Sequence, residues 1–342
     1  MLVFEPFLLG DFLMGVPAFR FLRERFPNAR IDCIVPPVLA GLDEFFPWLD
    51  TLIPFQCPWS PQYRDWSPKN LRAAWRLLYL LRRNRYDWAF DLRGDVRDIY
   101  FLFATGASRR AAFDVTGGTR LLTDVVPYDG QPYQHIIEGN LLSVMHPLGA
   151  QIEPSAVNCR IHIPSGWRAA AEEWLRERCI QEFVAVHPCA SLAHKRWPAA
   201  SWAELLQEFV LPHHPVVLFS TAHETPILEE ITRGLERFKG RVHVAQDPLP
   251  MFFSLTSLSR GVISLDSAAA HLGVAAGVPV VALLGPRPAS LSKPYGVSAR
   301  AVYIEDVPCR PCDRRCTQPR NFCMQDLDVT SVVTGLRDLG IV

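Results

Sequence analysis

The chain opens on an almost unbroken apolar run from Leu2 to Leu9, followed by Gly10-Asp11. A helical spacing of apolar residues then runs from about Phe12 to Phe26, where Pro27-Asn28 stops it ahead of a second apolar run, Ile31 to Val35. Strand, turn, helix and strand in that order make the unit of a parallel sheet. Thr51 to Phe55 predicts another strand, about Asn70 to Asn84 a long helix, and Trp88 to Asp91 a further strand. Between Gln151 and Pro164 the helical rhythm lapses and two prolines intervene, which places a linker there. The rhythm resumes with a helix from Trp167 to Cys179, a strand from Phe183 to His187 and a helix from Ser201 to Val210. Strand Val216 to Phe219, helix Thr225 to Phe238, strand Gly261 to Asp266, helix Ala268 to Ala276 and strand Val278 to Leu284 follow. Two comparable α/β halves are therefore expected. The proline-rich stretches Pro54 to Pro68 and Pro286 to Pro294 read as ordered loops, the first interleaved with aromatic residues and the second flanked by apolar strands.

Length agrees, since 342 residues at roughly 150 per domain make about two domains. With 49% apolar residues, disorder is excluded. Basic and acidic side chains balance at 35 each, which argues against a general nucleic-acid binder, whose phosphate contacts need a basic excess. The N-terminal run has no basic leader and is broken by Glu5, Pro6, Asp11 and Pro17, so it reads as core and not as a signal peptide. No other uninterrupted apolar stretch reaches the roughly 18 residues of a membrane span. Five of the nine cysteines stand singly, as buried thiols do in a reducing compartment, so the cytoplasm is the expected location.

Three strand-to-helix junctions carry candidate chemistry, at the sheet edge where open α/β folds place ligands. At the first, Asp11 is either a helix N-cap or a catalytic carboxylate. The second, His187 to Pro198, offers the Ser191 hydroxyl and the adjacent cations Lys195 and Arg196, a set suited to a diphosphate; a solvated basic pair ahead of a packed Trp197-Pro198 is the alternative. The third, Ser264 to Leu272, places Asp266, Ser267 and the first amides of a helix where they can meet an anion, or where they only cap the helix, with His271 a core histidine. Glu224, just past a strand, is either a ribose ligand or a first-turn carboxylate. Cys309, Cys312, Cys316 and Cys323 put four thiols in fifteen residues, a candidate tetrahedral zinc site or a cluster of reduced thiols. Trp59, Tyr63 and Trp66 are aromatic candidates for touching a membrane surface.

Taken together these segments resemble glycosyltransferase family 9, the ADP-heptose:lipopolysaccharide heptosyltransferases and their relatives, over nearly the whole chain. The resemblance rests on Gly10-Asp11 with Pro17-Ala18 and Arg25-Phe26-Pro27, on Tyr86-Asp87 through Asp91-Leu92-Arg93-Gly94, and on His187-Pro188 with Lys195-Arg196-Trp197-Pro198. It continues through Asp266-Ser267, His271-Leu272 and Ala275 to Pro286, and closes on the cysteine segment running into Met324-Gln325-Asp326-Leu327.

The resemblance implies a GT-B fold, with two Rossmann-like, doubly wound domains facing across a cleft. The acceptor side is expected at residues 1–155 and the nucleotide-sugar side at 156–325, and a closing helix within 326–342 is expected to pack back toward the first domain. It implies an inverting, metal-independent transferase acting on an ADP-linked heptose or related sugar and a lipid-anchored saccharide, at the cytoplasmic face of the inner membrane. No cofactor is required, and zinc at the cysteine segment would be structural only. Asp11 is the general base by carry-over, and Lys195, Ser191 and the amides around Ser267 stabilise the departing nucleoside diphosphate, with Asp266 and His271 in the same donor motif. Arg93, Arg97 and His135 are candidates for gripping an anionic acceptor, or else are merely exposed. Ala268 stands where the family has Gly, which bears on how closely the backbone approaches the phosphates. The alternatives are another nucleotide-sugar transferase or epimerase of this fold, or a non-catalytic nucleotide-sugar or glycan-binding protein.

Overall fold

Strands covered by helices on both faces need apolar side chains on both. All of Leu2–Phe4 and all of Gly261–Leu265, two strands at the centres of their sheets, are buried. The computed structural model describes residues 1–60, 64–128, 135–151, 157–307, 309–312 and 315–342. Tyr63 lies outside them. The chain divides into two compact units, Met1–His162 and Ile163–Val342.

The first unit runs β1 (Leu2–Phe4), α1 (Leu9–Arg25), β2 (Asp32–Val35), β3 (Thr51–Pro54), α2 (Pro68–Arg83) and β4 (Trp88–Asp91). It continues with α3 (Val96–Thr105), β5 (Arg109–Phe113), β6 (Asp124–Val126) and α4 (Ile136–Met145). The second unit runs α5 (Ser165–Glu177), β7 (Val184–His187), α6 (Ala199–Leu205), β8 (Val216–Phe219), α7 (Thr225–Thr232), β9 (Val242–Ala245) and α8 (Leu249–Leu258). It ends with β10 (Gly261–Leu265), α9 (Ala268–Ala276), β11 (Val280–Leu283), α10 (Ala289–Ser292), β12 (Ala299–Val302), α11 (Phe322–Gln325) and α12 (Val329–Asp338). The sheets are ordered β3-β2-β1-β4-β5-β6 and β12-β11-β10-β7-β8-β9, every pairing parallel. Each is therefore a doubly wound, Rossmann-like sheet whose order reverses once, between β1 and β4 in the first unit and between β7 and β10 in the second. Chain connections leave in opposite directions at such a reversal and open a crevice at the carboxyl ends of the strands. Register puts Phe4 beside Asp91 in one crevice and Ser264 beside His187 in the other.

Several elements depart from the sequence expectation for local reasons. The first turn comes earlier: β1 stops at Phe4, α1 begins at Leu9, and Gly10 and Asp11 are helical. The expected helix Ser201 to Val210 starts at Ala199 and closes in a π-turn, Leu206–Val210. The expected helix Thr225 to Phe238 tightens to a 3-10 turn from Arg233, next to Gly234. The edge strands β6, β9 and β12, and β5 beside β6, mix polar with apolar residues, so periodicity does not single them out. The closing helix α12 contributes Val329, Val332, Val333 and Leu336 to the second unit's core, where they cluster with Trp197, Trp202 and Met324. No helix among the described residues is long and apolar enough to cross a membrane.

Candidate functional site

In the first unit the crevice is lined by acid. Glu5, the residue after β1, is fully buried, its backbone N–H donating to the Ile34 carbonyl at 2.9 Å and its carboxyl Oε1 unmatched within the protein. Three residues separate it from α1, where Asp11 is the third helical residue; Leu8 occupies the cap position, so Asp11 is not the N-cap. Half-buried in the first turn, Asp11 lies at the positive end of the helix dipole. Across the reversal, Asp91 accepts from the amides of Gly94 at 2.7 Å and Arg93 at 3.3 Å, closing a tight turn. That turn needs Gly94, which has φ +78° and where a Cβ would come within 2.5 Å of the Phe113 carbonyl oxygen. It sends the Arg93 guanidinium over the Phe7 ring, 3.7 Å from its centroid. Asp98 in the first turn of α3 takes the Trp59 indole N–H at 2.6 Å, and its second oxygen is unmatched.

Burial dominates the charges here. It pushes Glu5 well above the usual carboxylate range, with the negative charge of Asp11 adding to the shift and Arg93 opposing it. Asp91 is pushed up to about 7 by burial, against the pull of the Gly94 and Arg93 amides, and Asp98 is raised by burial and by Asp91. The folded state keeps a proton on Glu5 that the unfolded chain releases above its ordinary pKa of 4.5, so this group costs stability as pH rises from there. Glu5→Gln is accordingly expected to raise the melting temperature at pH 8 more than at pH 5. Thermal melts of both proteins at the two values check this, and an equal or lower melting temperature at pH 8 would contradict it.

The other acceptor-side candidates are placed differently from each other. Arg97 is paired with Asp95, Nη2 to Oδ2 at 2.6 Å and Nε to Oδ1 at 2.8 Å. His135 caps α4 from a buried position, Nδ1 accepting from the Ile137 amide at 3.1 Å, which leaves that nitrogen no proton to give an anion. Arg93 faces the buried acids Glu5, Asp91 and Asp98, and Arg97 reaches the Trp59 carbonyl at 3.5 Å beside Asp98. Glu5 and Asp98 were not singled out from the sequence, and the one signal for Glu5 was a charge interrupting the apolar opening run.

In the second unit the crevice brings together residues far apart in sequence. Lys195, in the 3-10 turn Ala193–Lys195, has Nζ 2.6 Å from Asp266 Oδ2, both side chains mostly buried. Ser267 is the N-cap of α9, its Oγ accepting from the Ala269 amide at 3.3 Å and lying 3.4 Å from His187 Nδ1. Burial lowers the His187 pKa against the pull of Glu224, and its ring stacks at 29° to that of Phe252, centroids 6.1 Å apart. Glu224 makes a capping box with Thr221, Oε2 taking the Thr221 amide at 2.8 Å and hydroxyl at 2.9 Å. The helix-start reading of Glu224 is therefore realised, and its charge is felt at His187. Ser191 is exposed on the loop after β7, and His271 is buried on the second turn of α9. Ala268 is the first residue of α9, where a methyl group is at home.

The cysteine segment packs against the loops of this crevice, and its arrangement does not support the expected zinc site. Among the described residues no group of three or more His, Cys, Asp or Glu could hold an ion. Structural zinc is corrected on that ground. Cys312 Sγ donates to the Cys309 carbonyl at 3.0 Å and Cys323 Sγ to Asn321 Oδ1 at 3.2 Å, while Cys316 Sγ faces the Arg320 carbonyl at 3.7 Å. Burial raises Cys323 to about 11, so it stays a thiol. The segment braces the loops that follow β7 and β11: Asn321 Nδ2 donates to the His194 carbonyl at 2.7 Å, Trp197 Nε1 to the Leu327 carbonyl at 2.9 Å, and Arg310 Nε to the Gly285 carbonyl at 3.0 Å.

Comparison with known proteins agrees with this architecture. Residues 74–321 match glycosyltransferase family 9 (heptosyltransferase). The lipopolysaccharide heptosyltransferase 2 of Escherichia coli K12 is 24% identical over 312 residues, 89% of this chain and 87% of that protein. The structure of E. coli ADP-heptose LPS heptosyltransferase II superposes with a TM-score of 0.80 at 20% identity, covering 99% of this chain and 98% of that one. E. coli heptosyltransferase WaaC with ADP gives 0.75 at 18% identity, covering 99% of each. At such identities the structural likeness establishes the fold, which is GT-B.

Proposed function

Starting from the fact that the chain belongs to glycosyltransferase family 9, we propose that it transfers heptose from an ADP-linked donor to a lipid-anchored, lipopolysaccharide-type saccharide, with inversion and without a metal. The observation that carries this reading is the pair of switch-point crevices, one holding Asp11 near the buried carboxyls of Glu5 and Asp91 and the other holding Lys195 and Asp266 beside the Ser267-capped α9.

In the first crevice Asp11 takes the proton of the acceptor hydroxyl as that oxygen attacks the anomeric carbon. Glu5 keeps its own proton, so it places no second negative charge beside Asp11. In the second, the bond between the anomeric carbon and the phosphate oxygen breaks and the ADP leaves with the electron pair. Its growing negative charge meets Lys195, the positive N-terminal end of α9 and the Ser191 hydroxyl, groups already in place before the bond lengthens. Glu224 would accept from the ribose through Oε1, since Oε2 is engaged by Thr221. Arg93 is the acceptor-side cation best placed for an anionic sugar. The binding-only alternative drew on Ala268, whose helical placement removes that ground.

The lipid-anchored acceptor places the protein at a membrane surface as a peripheral enzyme. Calorimetry with ADP, UDP and GDP tests the donor assignment. ADP is expected to bind most tightly, and no binding by a folded sample, or a preference for another base, would overturn it.

A further inference from the structure

Helix α2 presents two faces of opposite use. Asn70, Ala74 and Leu81 are buried, and Leu77 and Leu78 pack against the cluster that holds Leu2, Phe101 and Leu102. The outward face is aromatic and basic together. Trp75 is 73% exposed, Tyr79 65% and Leu80 57%, with Leu71 also exposed. Helical spacing puts Arg72, Arg76 and Arg83 among them, and Lys69, Arg82 and Arg85 complete a run of exposed cations. Between Pro68 and Arg85 there is no acidic residue, in a chain whose total charge is zero. The nearest acids lie on the flanking turns: Asp65, whose carboxylate accepts from the Ser67 amide at 2.9 Å, and Asp87. On the neighbouring α3, Tyr100 and Phe103 are exposed, Asp95 is paired with Arg97, and Asp98 is buried. Shallow apolar grooves of about 410 Å3, lined by Trp75, Arg76, Tyr79 and Leu80, and about 420 Å3, reaching from Leu80 to Ile53, flank the helix.

A soluble enzyme has no folding reason to expose this much aromatic surface on one helix. A second copy of the chain is a poor occupant, because a two-fold contact through this face would bring the two sets of cations together. A surface that is anionic outside and hydrocarbon within satisfies both components: basic side chains meet phosphates while Trp and Tyr settle at headgroup depth.

We propose that the outward face of α2, centred on Trp75 and Tyr79 and flanked by Arg72, Arg76 and Arg83, docks the protein on an anionic phospholipid bilayer. The surface stands on its own residues and rests on the reading of a lipid-anchored acceptor for its role, that of holding the enzyme where such an acceptor is found.

Flotation of the full chain with vesicles of phosphatidylglycerol and phosphatidylethanolamine, against vesicles of phosphatidylcholine alone, tests it. Binding is expected to the anionic vesicles, to weaken with salt, and to be slight on the neutral ones. Arg72→Gln with Arg76→Gln should lower partitioning about 30-fold, each basic residue near an anionic surface being worth about fivefold. Trp75→Ala with Tyr79→Ala should lower it at least about tenfold, from the apolar area removed. Both variants should keep the wild-type melting temperature and wild-type turnover on a delipidated, water-soluble acceptor. Absence of wild-type binding, equal binding to neutral vesicles, or undiminished binding by both variants would overturn the proposal. So would a vesicle-free dimer that Trp75→Ala with Tyr79→Ala dissolves, which would assign the face to a second copy. Vesicle binding without any turnover on the soluble acceptor would refute the transfer reading and leave the docking surface standing.

Discussion

Asp11→Asn is expected to lower heptosyl transfer roughly 100- to 10,000-fold, the range a positioned general base supplies, while ADP affinity stays at the wild-type level. The amide is nearly isosteric with the carboxylate, so what changes is the capacity to take a proton from the acceptor hydroxyl. Asp11 lies in the first unit, and the groups assigned to ADP lie in the second. A loss in kcat with unchanged nucleotide binding therefore separates the two roles. The pH profile adds a readout that a structural role would not move: the limb of kcat/KM that falls toward acid, reporting the base, should vanish from the residual activity. Transfer at the wild-type rate would exclude Asp11 as the base, and the buried carboxyl of Glu5, within electrostatic reach of it, would become the group to examine.

Lys195→Ala is expected to cost roughly 100- to 1,000-fold in kcat, the scale seen when one preorganised group at a developing anion is removed, and to weaken ADP as well. The ammonium is held in advance by Asp266, 2.6 Å away, and needs no rearrangement when the diphosphate departs. Removing it alone leaves a mostly buried carboxylate without its cation, which destabilises the loop on its own account. Lys195→Ala combined with Asp266→Asn resolves this. The double variant should recover the melting temperature lost by the single one and recover none of the activity. Recovery of both would reduce Lys195 to a structural partner of Asp266.

How far these sites could be read from the chain differs between the two crevices. The apolar runs Leu2 to Phe4 and Gly261 to Leu265 announce central strands because both of their faces are covered, and the helix-stop at Pro27 and the left-handed Gly277 after α9 mark their boundaries in plain chemistry. Lys195, Asp266 and Ser267 stood out because they follow such strands. Their ion pair, spanning 71 residues of sequence, is a product of strand order and has no local signature. The glycine before Asp11 points to a turn there, yet Gly10 is accommodated within the helix and the turn falls on Glu5 to Leu8. Glu5 and Asp98 stayed hidden for another reason: a carboxyl becomes unusual only when burial removes its water, and burial of a single polar residue in a loop or first helical turn leaves no periodic trace. The cysteine spacing suggested tetrahedral coordination, but the thiols turn to main-chain and amide oxygens, and the segment's contribution is the brace it gives the Lys195 loop through Asn321 and Leu327.

The central claim is acceptor-dependent, inverting transfer from an ADP-linked heptose, and one experiment addresses it whole. The wild-type protein is mixed with ADP-heptose and a heptose-deficient lipopolysaccharide acceptor, with chelator present. ADP release is followed in time, and the anomeric configuration of the product is read by NMR. The account predicts ADP release only when acceptor is present, with a product of configuration opposite to the donor. Release without acceptor, retained configuration, or no release from a protein that binds ADP would contradict it.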